Sequence, residues 1–471
     1  MQFKRKIWRN WEDSYQCIAE VCIANTIDDL RQVLEKARME ERSIRVSGGG
    51  RNNSYSASFS GSPVITNPEQ IIVKTPYLNR IWAHNDGSNR VTAEGGATLK
   101  ELDVVLHQNR LSILTSTAPN FISVAGAVAL SCHGCGKDTG TLSDLVVGMT
   151  ILDYEGRIIE IGEDDPDLLR AARVNLGTLG IIINVTFQCE PEFKLAATDT
   201  AKVTIREALN EVQRLYEEHD YLEYFWYPFT DKVWVKTWDR VPYSVPNVKA
   251  PGRFEDFRQR ALGVTSDTIL KIATECPSLT PILEKVFLAS TPEQTAIAPS
   301  ADVYHYQNYF PRRLYDLSYA IDTGDDFSKF RSAFEFVTAK LCEYAKPKRS
   351  CTSSWNSDYK RGRKFVQNFI MHCRFLGSSS GYMAPGVGHK HTCMFEAVTY
   401  IGTPSEQYYA EVEKHWLSLG GRPHWGKSYN PRVDFKSMYG ANWEKFNQIR
   451  RRMDPKGMFL NDFMRHVFQV A

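Results

Sequence analysis

A chain of 471 residues exceeds what one ordinary hydrophobic core organises, so two domains or one large two-lobed domain is expected. Its 57 basic side chains nearly balance 55 acidic ones, and no stretch interleaves Lys and Arg with aromatics, which argues against a nucleic-acid partner. No run of about 18 apolar residues occurs, the charged opening is not followed by the apolar core of a secretory signal, and the ten cysteines are scattered. A soluble, cytoplasmic protein with no membrane partner is expected.

After a polar first dozen residues, Thr26 to Glu41 carries Leu30, Val33, Leu34 and Ala37 at helical spacing, which predicts an amphipathic helix. Short β-rich runs follow at 44–46, 71–74, 90–94, 145–152 and 158–161, split by Gly, Asn and Asp turns, with helices expected over 98–108 and 166–173. The segment 175–187 returns to a buried strand after a glycine turn. This mixture predicts an α+β fold rather than a regular βαβ array. Near Pro191 the chain becomes richer in aromatics and long helices, as over 204–218 and 326–344, with strand pairs at 221–227 and 233–238. We therefore expect a first domain over 1–191, a second over 192–429, and a C-terminal segment 430–471 that returns to the first.

Two runs stand out for their lack of bulk. The run from Ser47 through Gly48, Gly49, Gly50, Arg51, Asn52 and Asn53 to Ser54 follows the strand at 44–46, and Ser123 to Gly140 is a second small-residue stretch. Such backbone can touch a flat or phosphorylated ligand and donate its N–H groups to it; the competing reading of any one position is a plain turn glycine. Cys132 and Cys135, with His133 between them, have the C-x-x-C spacing of a redox pair or half a zinc site. No second such motif stands at a matching spacing, so small residues in a ligand-facing loop is the favoured reading, with no metal.

The order of Arg45-Val-Ser-Gly-Gly-Gly-Arg51, Val91-Thr-Ala-Glu-Gly-Gly96, Ser123-Val-Ala-Gly126, Cys132-His-Gly-Cys-Gly136, 171–180, Pro423-His-Trp-Gly-Lys427 and Asp454-Pro-Lys-Gly-Met-Phe459 resembles the sugar-lactone oxidases and the related alditol oxidases. The resemblance spans nearly the whole chain. It implies the FAD-binding fold of vanillyl-alcohol oxidase with a second α+β substrate (cap) domain, and an FAD-dependent oxidoreductase acting on a hydroxyl-bearing carbon of a sugar lactone or polyol. It further implies a role for each cluster. Ser47 to Ser54 would cradle the FAD pyrophosphate. Ser116, Ser123, Gly126, His133, Gly134, Gly136, Thr139 and Gly140 would line the ring and ribityl chain, and Gly177, Gly180 and Ile182 would close around the adenine side.

Two positions depart from the family pattern. Arg51 stands where many of these oxidases carry a histidine bonded covalently to the flavin, so non-covalent FAD is expected; a protonated guanidinium is no nucleophile but donates well to phosphate. The family's Glu-x-Arg pair matches best at Glu396, with Val398 in the arginine position. An unpaired, partly buried carboxylate is pushed towards its neutral form, so Glu396 is read as a tuned acid or base, or as a hydrogen-bonder. His389 and His391 either replace the missing arginine or form a solvated loop. Lys427 is expected to stabilise charge developing on the reduced flavin, besides contacting the cofactor, and His424 either relays the hydroxyl proton or is structural. The aromatic block 224–229 roofs the pocket or is ordinary core. The electron acceptor is oxygen or another molecule. A tailoring oxidase of a larger natural product, acting on an alcohol or amine, and a non-catalytic flavin-binding scaffold are the alternative readings.

Overall fold

The structure is a computed structural model describing residues 1–10, 16–48, 70–248, 266–291, 293–305, 313–345 and 364–470. The expected cofactor loop from Gly49 to Ser54, Arg51 included, lies outside them. The polar opening, to which the sequence pattern assigns no element, forms β1 (Phe3–Arg9) against β2 (Gln16–Ile23). Helix α1 (Ile27–Met39) starts at a capping box between Thr26 and Asp29 and buries Leu30, Val33, Leu34 and Ala37, the face its periodicity predicts. Strands β3 (Ile44–Ser47) and β4 (Ile71–Lys74) complete a four-stranded sheet of order β1-β2-β4-β3, in which β2, β4 and β3 run parallel.

Next come β5 (Ile81–Ala83), β6 (Arg90–Glu94), α2 (Leu99–Gln108), β7 (Leu111–Ser112), α3 (Val124–Ala129), β8 (Val146–Leu152), β9 (Ile158–Ile161), α4 (Pro166–Arg173) and β10 (Ile181–Gln188). They build an antiparallel sheet of order β5-β6-β10-β8-β9. Strand β10 alternates buried and half-buried residues along its length, as a strand with one covered face should. Strand β11 (Glu190–Pro191) pairs with β7.

The rest of the chain is organised by one eight-stranded antiparallel sheet. It takes β12 (Phe193–Thr204), then, after helix α5 (Ile205–Glu218), β13 (Tyr221–Trp226), β14 (Lys232–Pro242), β15 (Gln294–Pro299), β16 (Leu314–Asp322), β17 (Met371–Leu376), β18 (Thr392–Tyr400) and β19 (Arg422–Pro423), in the order β15-β12-β14-β13-β17-β18-β16-β19. Helix α5 and the helices at Ser328–Ala345 and Glu406–Ser418 supply Val212, Phe330, Phe334 and Trp416 to the core on one face of this sheet. Its other face carries charge and is described below. Near the C-terminus the Asp454 carboxylate accepts the backbone N–H groups of Met458 and Phe459. The turn so fixed lets Met458 accept from Ile44 N at 2.8 Å, tying this segment to β3.

Candidate active site

Where β3 ends, a cleft opens between the first two sheets. Its wall is built from Arg45, Ser47, Gly48, Ser123, Gly126, Gly177, Gly180 and Ile182, and ends at Leu130 and Cys132. These residues come from β3, the start of α3, the turn before β10 and β10 itself. The two small-residue segments thus do meet, as their lack of bulk suggests. Ser123 caps α3 and accepts from Gly126 N. A Cβ at Gly48 would stand 2.7 Å from Ser123 Oγ, so bulk is excluded from this wall by the close approach of the two segments.

The other expected cofactor residues among those described do not line this wall. A Cβ at Gly134 would fall 2.1 Å from the Ser116 carbonyl oxygen, and one at Gly140 would fall 2.2 Å from Asp144 Oδ2. These two glycines answer to the chain's own packing. Gly136 N donates to Phe375 O at 2.8 Å, and Gly377 N donates to Thr139 O at 2.8 Å, so 134–140 docks the first half of the chain onto β17. Ser116 Oγ is buried with no hydrogen-bond partner. Burial raises the Cys132 thiol to about 11 and holds the Cys135 thiol well above its ordinary value, which keeps both protonated and unreactive.

Beyond Cys132 the cleft meets the charged face of the large sheet. His133 and His424 bring their rings within 5.3 Å, and the cluster of Glu396, Arg374, Lys427 and Asp316 lies against them. Here the sequence expectation needs correcting. Glu396 is not unpaired: Arg374, on the neighbouring strand β17, donates to its Oε2, and Lys427 Nζ stands 3.1 Å from its Oε1. The cross-strand register sets His372 opposite Glu396 and Arg374 opposite Met394, and a guanidinium is long enough to reach back across one residue. The positive partner sought at Val398 therefore comes from β17. Val398 itself packs with Phe225, Tyr227 and Ile370.

Burial alone would raise the Glu396 carboxyl, but the Arg374 and Lys427 charges and the His372 hydrogen bond outweigh it and hold the group well below the usual range. It is ionised, not neutral. Burial would likewise lower the Lys427 ammonium, but Asp316 and Glu396 raise it; Lys427 also donates to Asp316 Oδ2. The ammonium is thus already shared between two carboxylates. His424 is pushed down to about 3 by burial and by Lys427. Its Nδ1 accepts from Gly426 N at 3.0 Å, which leaves the proton on Nε2, so His424 is a neutral donor. His133 is the complement: its Nδ1 faces the Gly134 carbonyl at 3.0 Å and so carries the proton, leaving Nε2 as an acceptor. Burial, then Arg374 and His424, keep its pKa well below the usual value.

His389 and His391 do not replace the arginine. His391 Nδ1 bonds Tyr216 at 3.0 Å, and His389 Nδ1 stands 3.3 Å from Thr392 Oγ1. The aromatic block divides by strand alternation. Tyr224 and Trp226 enter the core, whereas Phe225 lies on the charged face and stacks on His372 at 3.9 Å. Four charged or titratable groups on this face escape the sequence reading: Asp316, Arg374, His372 and Glu223. His372 Nδ1 lies 3.2 Å from Glu396 Oε2 and its Nε2 lies 3.5 Å from Glu223 Oε2. The available signal is charge at alternate positions of otherwise apolar strands, in 221–226 and 371–376.

Several buried oxygens here have no hydrogen bond: Glu396 Oε1, Asp316 Oδ1 and Ser318 Oγ. Ser318 pairs in register with Glu396, and Asp316 lies two residues along the same strand. The cleft suits FAD on independent grounds, since its wall is side-chain-poor and the buried guanidinium of Arg45 lines it.

A side-chain-poor cleft that ends, at Cys132, near a buried charged sheet face is the setting an FAD-dependent oxidoreductase needs. The D-arabinono-1,4-lactone oxidase family model matches residues 185–467, and an FAD binding domain matches residues 18–162. The chain belongs to the D-arabinono-1,4-lactone oxidase family. It is 27% identical to L-gulonolactone oxidase of Bos taurus, over 99% of each chain. It is 26% identical to L-gulono-1,4-lactone dehydrogenase of Mycobacterium tuberculosis, over 98% of this chain and 99% of that one. Its fold is that of the crystal structure of cholesterol oxidase from B. sterolicum, with a TM-score of 0.81, 19% identity, and coverage of 99% of this chain and 97% of that one.

Proposed function

We propose that this enzyme oxidises a hydroxyl-bearing carbon of an aldonolactone. The observation that carries the reading is the set of unsatisfied buried oxygens on β16 and β18. Asp316 Oδ1 and Ser318 Oγ, with Glu396 Oε1 held only by the Lys427 charge, leave buried capacity to accept hydrogen bonds, and leaving such groups unbonded costs about 1–3 kcal/mol each. A polyhydroxylated ring repays that cost with its hydroxyl donors. A lactone also fits the matched ion pairs: a neutral substrate needs polarisation and orientation, not a counter-charge.

The cleft wall at Gly48, Ser123, Gly126 and Gly177 would hold FAD, whose flavin would supply the two-electron acceptor. Glu396, fixed by Arg374 and Lys427, orients the reacting hydroxyl through the lone pairs of Oε1 left beyond its Lys427 contact. His372, between Glu396 and Glu223, gives the hydroxyl proton a route away from the site. His424 donates from Nε2 without changing charge. Lys427 and Arg374, each paired with a carboxylate, hold Glu396 ionised and in place rather than supplying net positive charge. Binding of FAD is non-covalent, because Arg51 stands where a linking histidine would be. Acid precipitation checks this: the pellet is expected to be colourless and the supernatant yellow, and a yellow pellet contradicts it.

Anaerobic mixing with L-gulono-1,4-lactone and D-arabinono-1,4-lactone tests the substrate. Bleaching of the flavin absorbance is expected with at least one aldonolactone. Bleaching by amines or bulky alcohols alone would replace the reading with that of a tailoring oxidase, and no bleaching by any of these would favour a flavin-binding scaffold. Admitting air afterwards separates oxygen from another acceptor by whether the colour returns within the turnover time.

A further inference from the structure

Arg45 projects from β3 into the wall of the cleft and is 5% exposed. Its Nη1 donates to the Leu176 carbonyl at 2.9 Å, and its guanidinium lies beside Gly177, where a Cβ would come within 3.1 Å of Nη1. No carboxylate among the described residues pairs with it, and burial is the single influence on its pKa, which falls to about 10. The group therefore stays protonated near neutral pH. Other buried ions of this chain are treated differently. Arg374 and Lys427 have Glu396 and Asp316 beside them. Glu284, buried with both carboxyl oxygens unbonded, is raised well above the usual carboxyl range by burial and escapes its charge by keeping a proton. An arginine has no such escape. A buried guanidinium satisfied by one neutral carbonyl is an incomplete pair.

We propose that Arg45 is the counter-charge for the diphosphate of FAD. This assignment rests on the reading that the cleft takes the cofactor. Among the described residues the wall around Arg45 consists of Gly48, Ser123, Gly126, Gly177 and other uncharged residues, which points to an anion brought by the ligand. A lactone brings no negative charge, whereas the diphosphate brings two. The planar fork leaves N–H groups beyond the one used on Leu176 and matches phosphate oxygens in geometry. A counter-charge supplied by the ligand also couples loading to folding, because the apoprotein carries the uncompensated ion and the holoprotein does not.

The test uses protein stripped of flavin, or purified from riboflavin-starved cells if stripping fails, titrated calorimetrically with FAD and with ADP. Arg45→Met is expected to raise the Kd for both at least tenfold and to flatten the salt dependence of binding. Arg45→Lys should recover most of the affinity. Flavin-free Arg45→Met protein should unfold at a temperature no lower than flavin-free wild type, and should gain less from saturating FAD. Unchanged Kd values in Arg45→Met would overturn the proposal, as would equal destabilisation of the flavin-free and loaded forms, the signature of a merely structural arginine. Gly126→Leu, which adds bulk to the same wall, separates the two layers of the argument. If it weakens FAD binding while Arg45→Met does not, the cleft reading stands and the Arg45 assignment fails; if neither variant weakens it, the cleft reading fails as well.

Discussion

The cleft and the charged sheet face adjoin at Cys132 and His133, yet they handle buried charge in opposite ways. On the sheet face each cation has an anion of the protein beside it: Arg374 and Lys427 with Glu396, Lys427 with Asp316. In the cleft Arg45 has one carbonyl. The difference teaches where the chain expects an ionic ligand and where it expects a neutral one. A self-neutralised site presents hydrogen-bonding capacity without net charge, which suits a lactone. An uncompensated guanidinium suits a diphosphate.

The largest effect expected from breaking this comparison follows Arg374→Met, which strands the Glu396 carboxylate in a buried position. We expect a loss of about 3–5 kcal/mol in urea unfolding and a fall in kcat/KM on aldonolactones of at least ~100-fold. A variant that stays active would show that Arg374 serves packing alone. A smaller effect sharpens the contrast through pH. The folded-state pKa of Glu396 is depressed, so its stabilisation is complete above the ordinary carboxylate range and is lost as pH falls through and below that range. Lys427 is raised, so its share is complete below the ordinary lysine range near about 10.4 and is lost only as pH rises beyond it. Unfolding midpoints between about pH 5 and pH 2 should fall for wild type and fall less steeply for Arg374→Met; parallel curves would contradict the pairing. The smallest effect is expected at His424. Because the ring is already neutral, with a pKa near 3, His424→Asn, which keeps a neutral donor, should change kcat by less than about tenfold, the order of one hydrogen bond. The pH profile should show no step near about 6.5 that vanishes in the variant; such a step would make His424 a titrating relay.

Much of this arrangement was legible in the residues. The helices expected over 26–41, 98–108, 166–173 and 204–218 form as α1, α2, α4 and α5, and the structure shows why: each couples a Thr or Asp cap to an apolar stripe. The cleft wall was legible from its lack of bulk, and Glu396, His424 and Lys427 from their motifs. The Glu396 partner was not legible, since two residues apart on one strand is visible in sequence whereas facing positions on two strands depend on register. Gly134 and Gly140 show a related ambiguity: a glycine needed beside another segment's carbonyl or carboxylate looks the same in sequence as one needed beside a ligand. Arg45 was hidden by its setting in a short strand, where basic residues are usually solvated.

The most direct measurement is the crystal structure of the FAD-bound enzyme. The account predicts diphosphate oxygens within hydrogen-bonding distance of the Arg45 guanidinium, and the flavin ring reaching the end of the cleft at Cys132, beside Glu396, Lys427 and His133. A diphosphate held elsewhere, with Arg45 still facing only the Leu176 carbonyl, or a ring remote from Glu396, would contradict it.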